Sequence, residues 1–165
     1  MNRTGPVPIG LGVAVIVGVI DQISKWWIVE DVMRPPHVIE VTPFFNIVLA
    51  WNRGVSFGMF NEGSPGNVWL LSGIALGIVV VLMVWLWRSQ CRLLASAIGL
   101  IIGGAMGNVI DRMNYGAVAD FLDFHVAGFH WPAFNVADSA IFVGAVVLVL
   151  DSLFGWSEKN KMNGQ

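Results

Sequence analysis

The chain alternates between long apolar stretches and shorter segments that carry most of its charged residues. A helix needs about 20 residues to cross the roughly 30 Å hydrocarbon core of a bilayer. Four stretches reach that length, at about 8–29, 67–87, 93–113 and 133–154. We therefore predict that residues 1–165 form one integral membrane domain with four transmembrane helices.

The segment between the first two spans is too long for a simple connector, and its pattern becomes strand-like. Runs rich in β-branched and aromatic residues predict strands at 39–41, 46–51 and 55–57. We predict a small β-sheet insertion at about 37–60, outside the membrane, and a loop at 114–132 that carries Asp120. The predicted fold class is an all-α membrane protein, a four-transmembrane-helix bundle with a small extracytoplasmic β-sheet insertion between helices 1 and 2.

Small residues recur every four positions on two of the predicted spans. They are Gly10, Ala14 and Gly18 on the first span, and Gly99, Gly103 and Gly107 on the third. Such stripes let helix backbones approach closely inside a membrane, where no hydrophobic force drives association. We expect both helices to pack through these faces.

Composition agrees with a membrane protein and excludes one class of partner. Hydrophobic residues make up 56% of the chain and charged residues only 12%, which is far from a soluble globular balance. The formal net charge is −2 and no run of Lys or Arg occurs, so we expect no nucleic-acid partner. Membrane lipid is the expected surrounding.

Basic residues predict how the chain is oriented. The side that holds both termini carries Arg3, Arg88, Arg92, Lys159 and Lys161, and the opposite loops carry Arg34 and Arg53. Cytoplasmic loops are enriched in Lys and Arg. We therefore predict a multi-pass protein with both termini cytoplasmic. Asp151 and Glu158 lie on the inner side, while the other nine acidic residues lie outside or at the outer ends of the spans, so we expect any chemistry to face outward.

The acidic residues at the outer ends of the spans fall into two groups. Asp21 has Lys25 one helical turn away and Asp111 has basic neighbours, so we predict structural charges at these positions. Asp120 and Asp138 have no Lys or Arg within five positions. They meet if the second outer loop folds back onto the fourth span, and two carboxylates in contact share a proton, which provides one acid and one base. Helix-capping acids and half of a proton relay stay open as alternatives.

Two other functions compete with acid–base chemistry by a carboxyl pair. Asp123, His125 and His130 raise the alternative of a metal hydrolase, but no H-E-x-x-H motif occurs and the histidines follow no helical spacing. We interpret the two histidines as solvated loop residues. The second alternative is a small proton-coupled transporter, although the acids gather near one membrane face and not at the midplane.

Five short blocks resemble the signature motifs of one family. They are "DQISKWW" from Asp21, "WNRGVSFG" from Trp51, "GNVIDR" from Gly107, "VADF" from Val118 and "FNVADS" from Phe134. In this order they resemble the bacterial lipoprotein signal peptidases, also called signal peptidase II, over nearly the whole chain. The resemblance implies an aspartic endopeptidase of the bacterial cytoplasmic (inner) membrane. It would cleave the signal peptide from diacylglyceryl-modified prolipoproteins, N-terminal to the lipidated cysteine, at the outer face, with no cofactor and no metal.

The resemblance also implies roles for individual residues. It makes Asp120 and Asp138 the catalytic dyad. It assigns Asn52 and Gly54 to the substrate groove in the outer sheet, and it assigns Asn108, Arg112 and Asn135 to the surroundings of the scissile bond. Asp21, Lys25 and Asp111 fit better as structural charges. Arg112 can bind substrate or, alternatively, hold Asp111 in place.

The predicted orientation can be tested with Cys91, the single cysteine of the chain. Because it lies between the second and third spans, we expect it on the cytoplasmic side. A membrane-impermeant thiol reagent should label Cys91 in broken cells and leave it unlabelled in intact cells. Strong labelling of intact cells would reverse the orientation and, with it, the outward-facing site.

Overall fold

The computed structural model describes residues 5–54 and 65–155. It contains four long helices, α1 (Val7–Trp27), α2 (Pro65–Arg88), α3 (Arg92–Tyr115) and α4 (Val136–Phe154). A π-helical turn, Ile28–Val32, continues α1. All four helices are long and apolar enough to cross a membrane, which confirms the predicted class of a four-transmembrane-helix bundle.

Helix α3 is the central helix and packs against the other three. Most of its apolar stretch is buried, whereas α1, α2 and α4 expose most of theirs on the outside of the bundle. A side chain at Gly99 would collide with the backbone carbonyl of Gly10, and one at Gly103 would collide with that of Ala14. The small-residue stripes of the first and third helices therefore form the contact between α1 and α3.

A four-stranded antiparallel sheet lies at one end of the bundle. Its strands are β1 (Ile39–Thr42), β2 (Phe45–Asn52), β3 (Val118–Val126) and β4 (Phe129–His130), in the spatial order β1-β2-β3-β4. The first two correspond to the predicted strands at 39–41 and 46–51, while the predicted strand at 55–57 lies outside the described residues. Since α1 and α3 lead into the sheet and α4 follows it, their polar ends gather at this end of the bundle.

The prediction of a loop around Asp120 is wrong, because this segment forms β3. Asp120 pairs with Ala50 of β2, and Asp123 pairs with Asn46. The first four residues of β3 are all buried, so the chain lacks the alternation of apolar and polar positions that identifies a half-exposed strand. The segment between α1 and α2 and the segment between α3 and α4 therefore both build the sheet, and Asp120 lies on a hydrogen-bonded strand.

Gly99→Ala should destabilise the bundle, because the added methyl group would meet the Gly10 carbonyl and push α1 away from α3. Overpacking of this kind costs about 1–3 kcal/mol. Gly73→Ala in α2 is the matched control, since no described atom lies within 4 Å of its added Cβ. Thermal unfolding of the purified protein in detergent measures both changes. Equal unfolding temperatures for the two variants would contradict this packing.

Candidate active site

A buried lysine near the end of α1 binds two buried carboxylates. Lys25 Nζ lies 2.9 Å from Asp21 Oδ2, one turn earlier on the same helix, and 2.9 Å from Asp111 Oδ2 on α3. All three side chains are at most 2% exposed, and a charge so deeply buried requires such partners. We call these three residues the charged cluster. The expected pair of Asp21 and Lys25 is thus present, and Lys25 is also the basic partner of Asp111.

The acids of the charged cluster also bind backbone N–H groups of other elements. Asp21 Oδ1 accepts from the N–H of Ala137 in the first turn of α4 at 2.8 Å. Asp111 Oδ2 accepts from the N–H of Ala119 on β3 at 3.2 Å. The amide of Gln22 donates to both acids, at 3.2 and 2.9 Å. Sequence reasoning missed Gln22, whose only signal is its place in the first block of the family resemblance.

Helix α4 begins with a capping box that contains one of the candidate catalytic acids. Asn135 is the N-cap residue, and its Oδ1 accepts from the N–H of Asp138 at 2.9 Å. In return, Asp138 Oδ2 accepts from the N–H of Asn135 at 3.3 Å. These bonds satisfy N–H groups that the first helical turn leaves without intrahelical partners. Asp138 is therefore a helix-capping acid, which was one of the alternatives left open by the sequence. Its second carboxylate oxygen, Oδ1, takes no part in the capping box.

Three asparagine side chains hold the two candidate carboxylates. Asn135 Nδ2 donates to Asp120 Oδ1 at 2.7 Å, and Asn52 Nδ2 donates to Asp120 Oδ2 at 3.1 Å. Asn108 Nδ2 donates to Asp138 Oδ1 at 2.8 Å. Because Asn135 also caps the turn that carries Asp138, it contacts both acids. The structure thus brings these five residues, which the family resemblance assigned to the site, into one group.

The other two expected site residues bind asparagines. The N–H of Gly54 donates to Asn52 Oδ1 at 3.2 Å, which orients that amide. Arg112 is half-buried, and its Nη1 donates to the carbonyl oxygen of Asn108 at 3.3 Å. In the described part of the chain, Arg112 forms no ion pair with Asp111 or any other acid.

The electrostatic surroundings make Asp120 a weak acid. Burial, and after it the charge of the nearby Asp138, raises the pKa of Asp120 to about 7 from the ordinary value of 3.8. Hydrogen bonds from Asn52 and Asn135 oppose this shift, because they stabilise the ionised form. A carboxyl group with such a pKa gains and loses its proton near neutral pH, as acid–base catalysis requires.

The residues considered as metal ligands bind one another further along the sheet. His130 Nδ1 lies 2.9 Å from both oxygens of Asp123, Asn46 Nδ2 donates to Asp123 Oδ2 at 3.1 Å, and His125 stacks on His130. Burial favours a raised pKa for Asp123, but the hydrogen bonds outweigh it and hold that pKa below its ordinary value. Among the described residues, no three His, Cys, Asp or Glu side chains group as a metal site.

Comparison with known proteins identifies the family of this chain. A family model described as signal peptidase (SPase) II matches residues 13–154. The chain belongs to the signal peptidase II family. Many of its relatives carry the name lipoprotein signal peptidase, and two of them show the extent of the similarity. The one from Nitrobacter hamburgensis is 48% identical over 89% of this chain and 93% of its own. The one from Yersinia enterocolitica is 44% identical over 93% of this chain and 91% of its own.

Solved structures agree with the family assignment. Two structures of a bacterial membrane enzyme match this chain at 29% identity. One has a TM-score of 0.79 and covers 93% of this chain and 98% of its own, and the other has a TM-score of 0.77 and covers 100% and 96%. The resemblance of the five sequence blocks to signal peptidase II is therefore confirmed, and the chain is a membrane protease.

Asp120→Asn should stabilise the folded protein at about pH 8 and have little effect near pH 4. A pKa that folding raises gives stability that is present below about pH 4 and lost as the pH rises through about 7. The neutral amide avoids this loss. Thermal unfolding in detergent at the two pH values measures the difference.

Asp123→Asn is the matched control with the opposite sign. Its pKa is lowered by folding, so the carboxylate contributes stability at every pH above its ordinary pKa, and the amide should destabilise the protein at about pH 8. If Asp120→Asn lowered the unfolding temperature at about pH 8 as much as Asp123→Asn does, Asp120 would not carry a raised pKa.

Proposed function

We propose that this chain is an aspartic endopeptidase that cleaves the signal peptide from diacylglyceryl-modified prolipoproteins, N-terminal to the lipidated cysteine. The observation that carries the proposal is the pair of carboxylates, Asp120 and Asp138, joined through Asn135 at the sheet end of the bundle. Membership of the signal peptidase II family supports the reaction, and the name of the relatives supports lipoproteins as the substrate class.

The proposed reaction is direct attack of water on the scissile peptide carbonyl. One aspartate, ionised, removes a proton from the water, while the other, protonated, donates a hydrogen bond to the carbonyl oxygen as the carbon becomes tetrahedral. Collapse of this intermediate breaks the C–N bond, and the leaving amine takes a proton from the pair. The raised pKa of Asp120, about 7, supports this carboxyl group as one that can carry a proton at neutral pH.

Neutral donors around the pair suit this reaction. Asn108 and Asn135 bind the carboxyl groups without adding a charge that would drive off the shared proton. We assign Arg112 to the substrate, because its guanidinium has five N–H donors and the described contacts use one of them. Asn52 and Gly54, at the end of β2 beside Asp120, are assigned to the groove that receives the peptide.

We propose that the site faces outward from the bacterial cytoplasmic membrane, with both termini cytoplasmic. The distribution of Lys and Arg supports this orientation. Asp138 lies in the first turn of α4, at the end of a membrane-spanning helix. A signal peptide is also a membrane helix, and its cleavage site would reach the same depth. The position of Asp138 inside an apolar segment is explained by such a substrate.

Asp120→Asn and Asp138→Asn should each insert and fold normally yet lose nearly all cleavage. Both changes keep the size of the side chain and remove the ionisable proton, and acid–base assistance is worth about 10²–10⁴-fold. Because the pair acts as a unit, the double variant should be about as inactive as either single variant. Release of signal peptide from a purified lipid-modified prolipoprotein, normalised to inserted enzyme, measures the effect.

The control for the dyad is Asp123→Asn, which changes a neighbouring acid of the same strand that contacts neither carboxyl of the pair. It should retain most of the cleavage activity per molecule of inserted enzyme. A chelator should leave wild-type cleavage unchanged, in contrast to a metal hydrolase. A correctly inserted dyad variant that kept more than about a tenth of wild-type cleavage would make the aspartyl mechanism untenable.

A further inference from the structure

One amide of the site is oriented by the charged cluster. Lys25 Nζ donates to Asn108 Oδ1 at 3.0 Å, in addition to its bonds to the two acids. An ammonium group has three N–H donors and no acceptor, so only the oxygen end of the Asn108 amide can face it. The nitrogen end must then face Asp138, to which it donates at 2.8 Å.

The opposite orientation of this amide would remove a donor from the reacting pair. With the Asn108 amide reversed, its oxygen would face the Asp138 carboxylate, and two acceptors would lie against each other. Asn135 Nδ2 also lies near Asn108 Oδ1, but at 3.4 Å, and it donates at 2.7 Å to Asp120. Lys25 therefore provides the shorter of the two contacts that orient the Asn108 amide.

We propose that Lys25 is a positioning residue for peptide cleavage, which acts by turning the Asn108 amide so that its N–H groups face Asp138. The proposal rests on the proposed function, because it assigns Asp138 to the reacting pair. Lys25 itself contacts neither substrate nor a reacting carboxyl group in this role. Its effect depends on the N–H donor that faces Asn108, and its charge serves the ion pairs with Asp21 and Asp111.

The donor and the charge can be separated by comparing two replacements of Lys25. Glutamine and methionine are both uncharged and of similar size, but only glutamine carries N–H donors. Each is introduced together with Asp21→Asn, whose amide oxygen can still accept from Ala137. Both double variants leave the cluster with the same formal charge as the wild type, because one acid and one base are lost together.

The measurement is kcat and KM for a lipid-modified prolipoprotein across a range of pH, with each enzyme purified and normalised to inserted protein. We expect Lys25→Gln with Asp21→Asn to keep most of the wild-type kcat. Lys25→Met with Asp21→Asn should lose about 10- to 100-fold in kcat, the worth of one hydrogen bond to a charged group, with KM little changed. The pH profile of the methionine variant should also move, because the reacting pair loses a fixed hydrogen-bond donor.

Gln22→Met is a matched control, because it removes hydrogen bonds to the same two acids and leaves the contact between Lys25 and Asn108 intact. It should lower thermal stability and keep the wild-type pH profile. Equal kcat and pH profiles in the glutamine and methionine variants would overturn the proposal.

Should the Asp21→Asn background not accumulate in the membrane, Asp111→Asn replaces it in both double variants. If neither background accumulates, Lys25 is required for folding through its ion pairs and not for positioning Asn108, and the proposal fails. A wild-type enzyme that does not cleave a lipid-modified prolipoprotein would refute the proposed function itself. Cleavage by the wild type together with equal glutamine and methionine variants refutes only the role of Lys25.

Discussion

Lys25 carries a positive charge between packed helices, and the arrangement of the site depends on how that charge is neutralised. Its ammonium group meets three acceptors, the carboxylates of Asp21 and Asp111 and the amide oxygen of Asn108. Removing one partner of a buried ion pair costs about 3–5 kcal/mol, so α1 and α3 are held in one register. The same packing requires glycine at position 107, because any side chain there would collide with the Asp21 carboxylate.

The charged cluster also determines where the proposed dyad lies. Asp21 accepts a hydrogen bond from the backbone N–H of the residue before Asp138, and Asp111 accepts one from the residue before Asp120. Each structural acid therefore holds the backbone directly beside one member of the pair. The N-terminal turn of α4 and the buried start of β3 would otherwise carry unsatisfied N–H groups, which are expensive inside a membrane protein. One set of bonds thus satisfies the backbone and positions both carboxyl groups.

The sequence predicts the helices of this fold well because the thickness of a bilayer sets their length, and only four apolar stretches are long enough. It does not predict β3, since the buried start of that strand lacks alternation. The bond between Lys25 and Asp111 depends on the register of α1 against α3, which the small-residue stripes favour but do not specify. The double role of Asn135, as the cap of α4 and as a donor to Asp120, likewise depends on the fold. The family resemblance identified Lys25, Asp111 and Asn135 because it compares whole motifs. It does not explain the contacts that these residues make.

A pair of carboxyl groups that shares a proton cannot lie in direct contact with a strong cation, because the cation would favour ionisation of both groups. The fold nevertheless needs a buried lysine close by. Asn108 resolves this conflict, since it accepts from Lys25 at its oxygen and donates to Asp138 from its nitrogen. The amide fixes the direction of the hydrogen bond to Asp138 and brings no net charge to it. Among the groups that shift the pKa of Asp120, Lys25 has the smallest effect. Neutral asparagines next to the pair therefore allow strong ion pairs to hold the fold and leave the proton of the proposed dyad free to move.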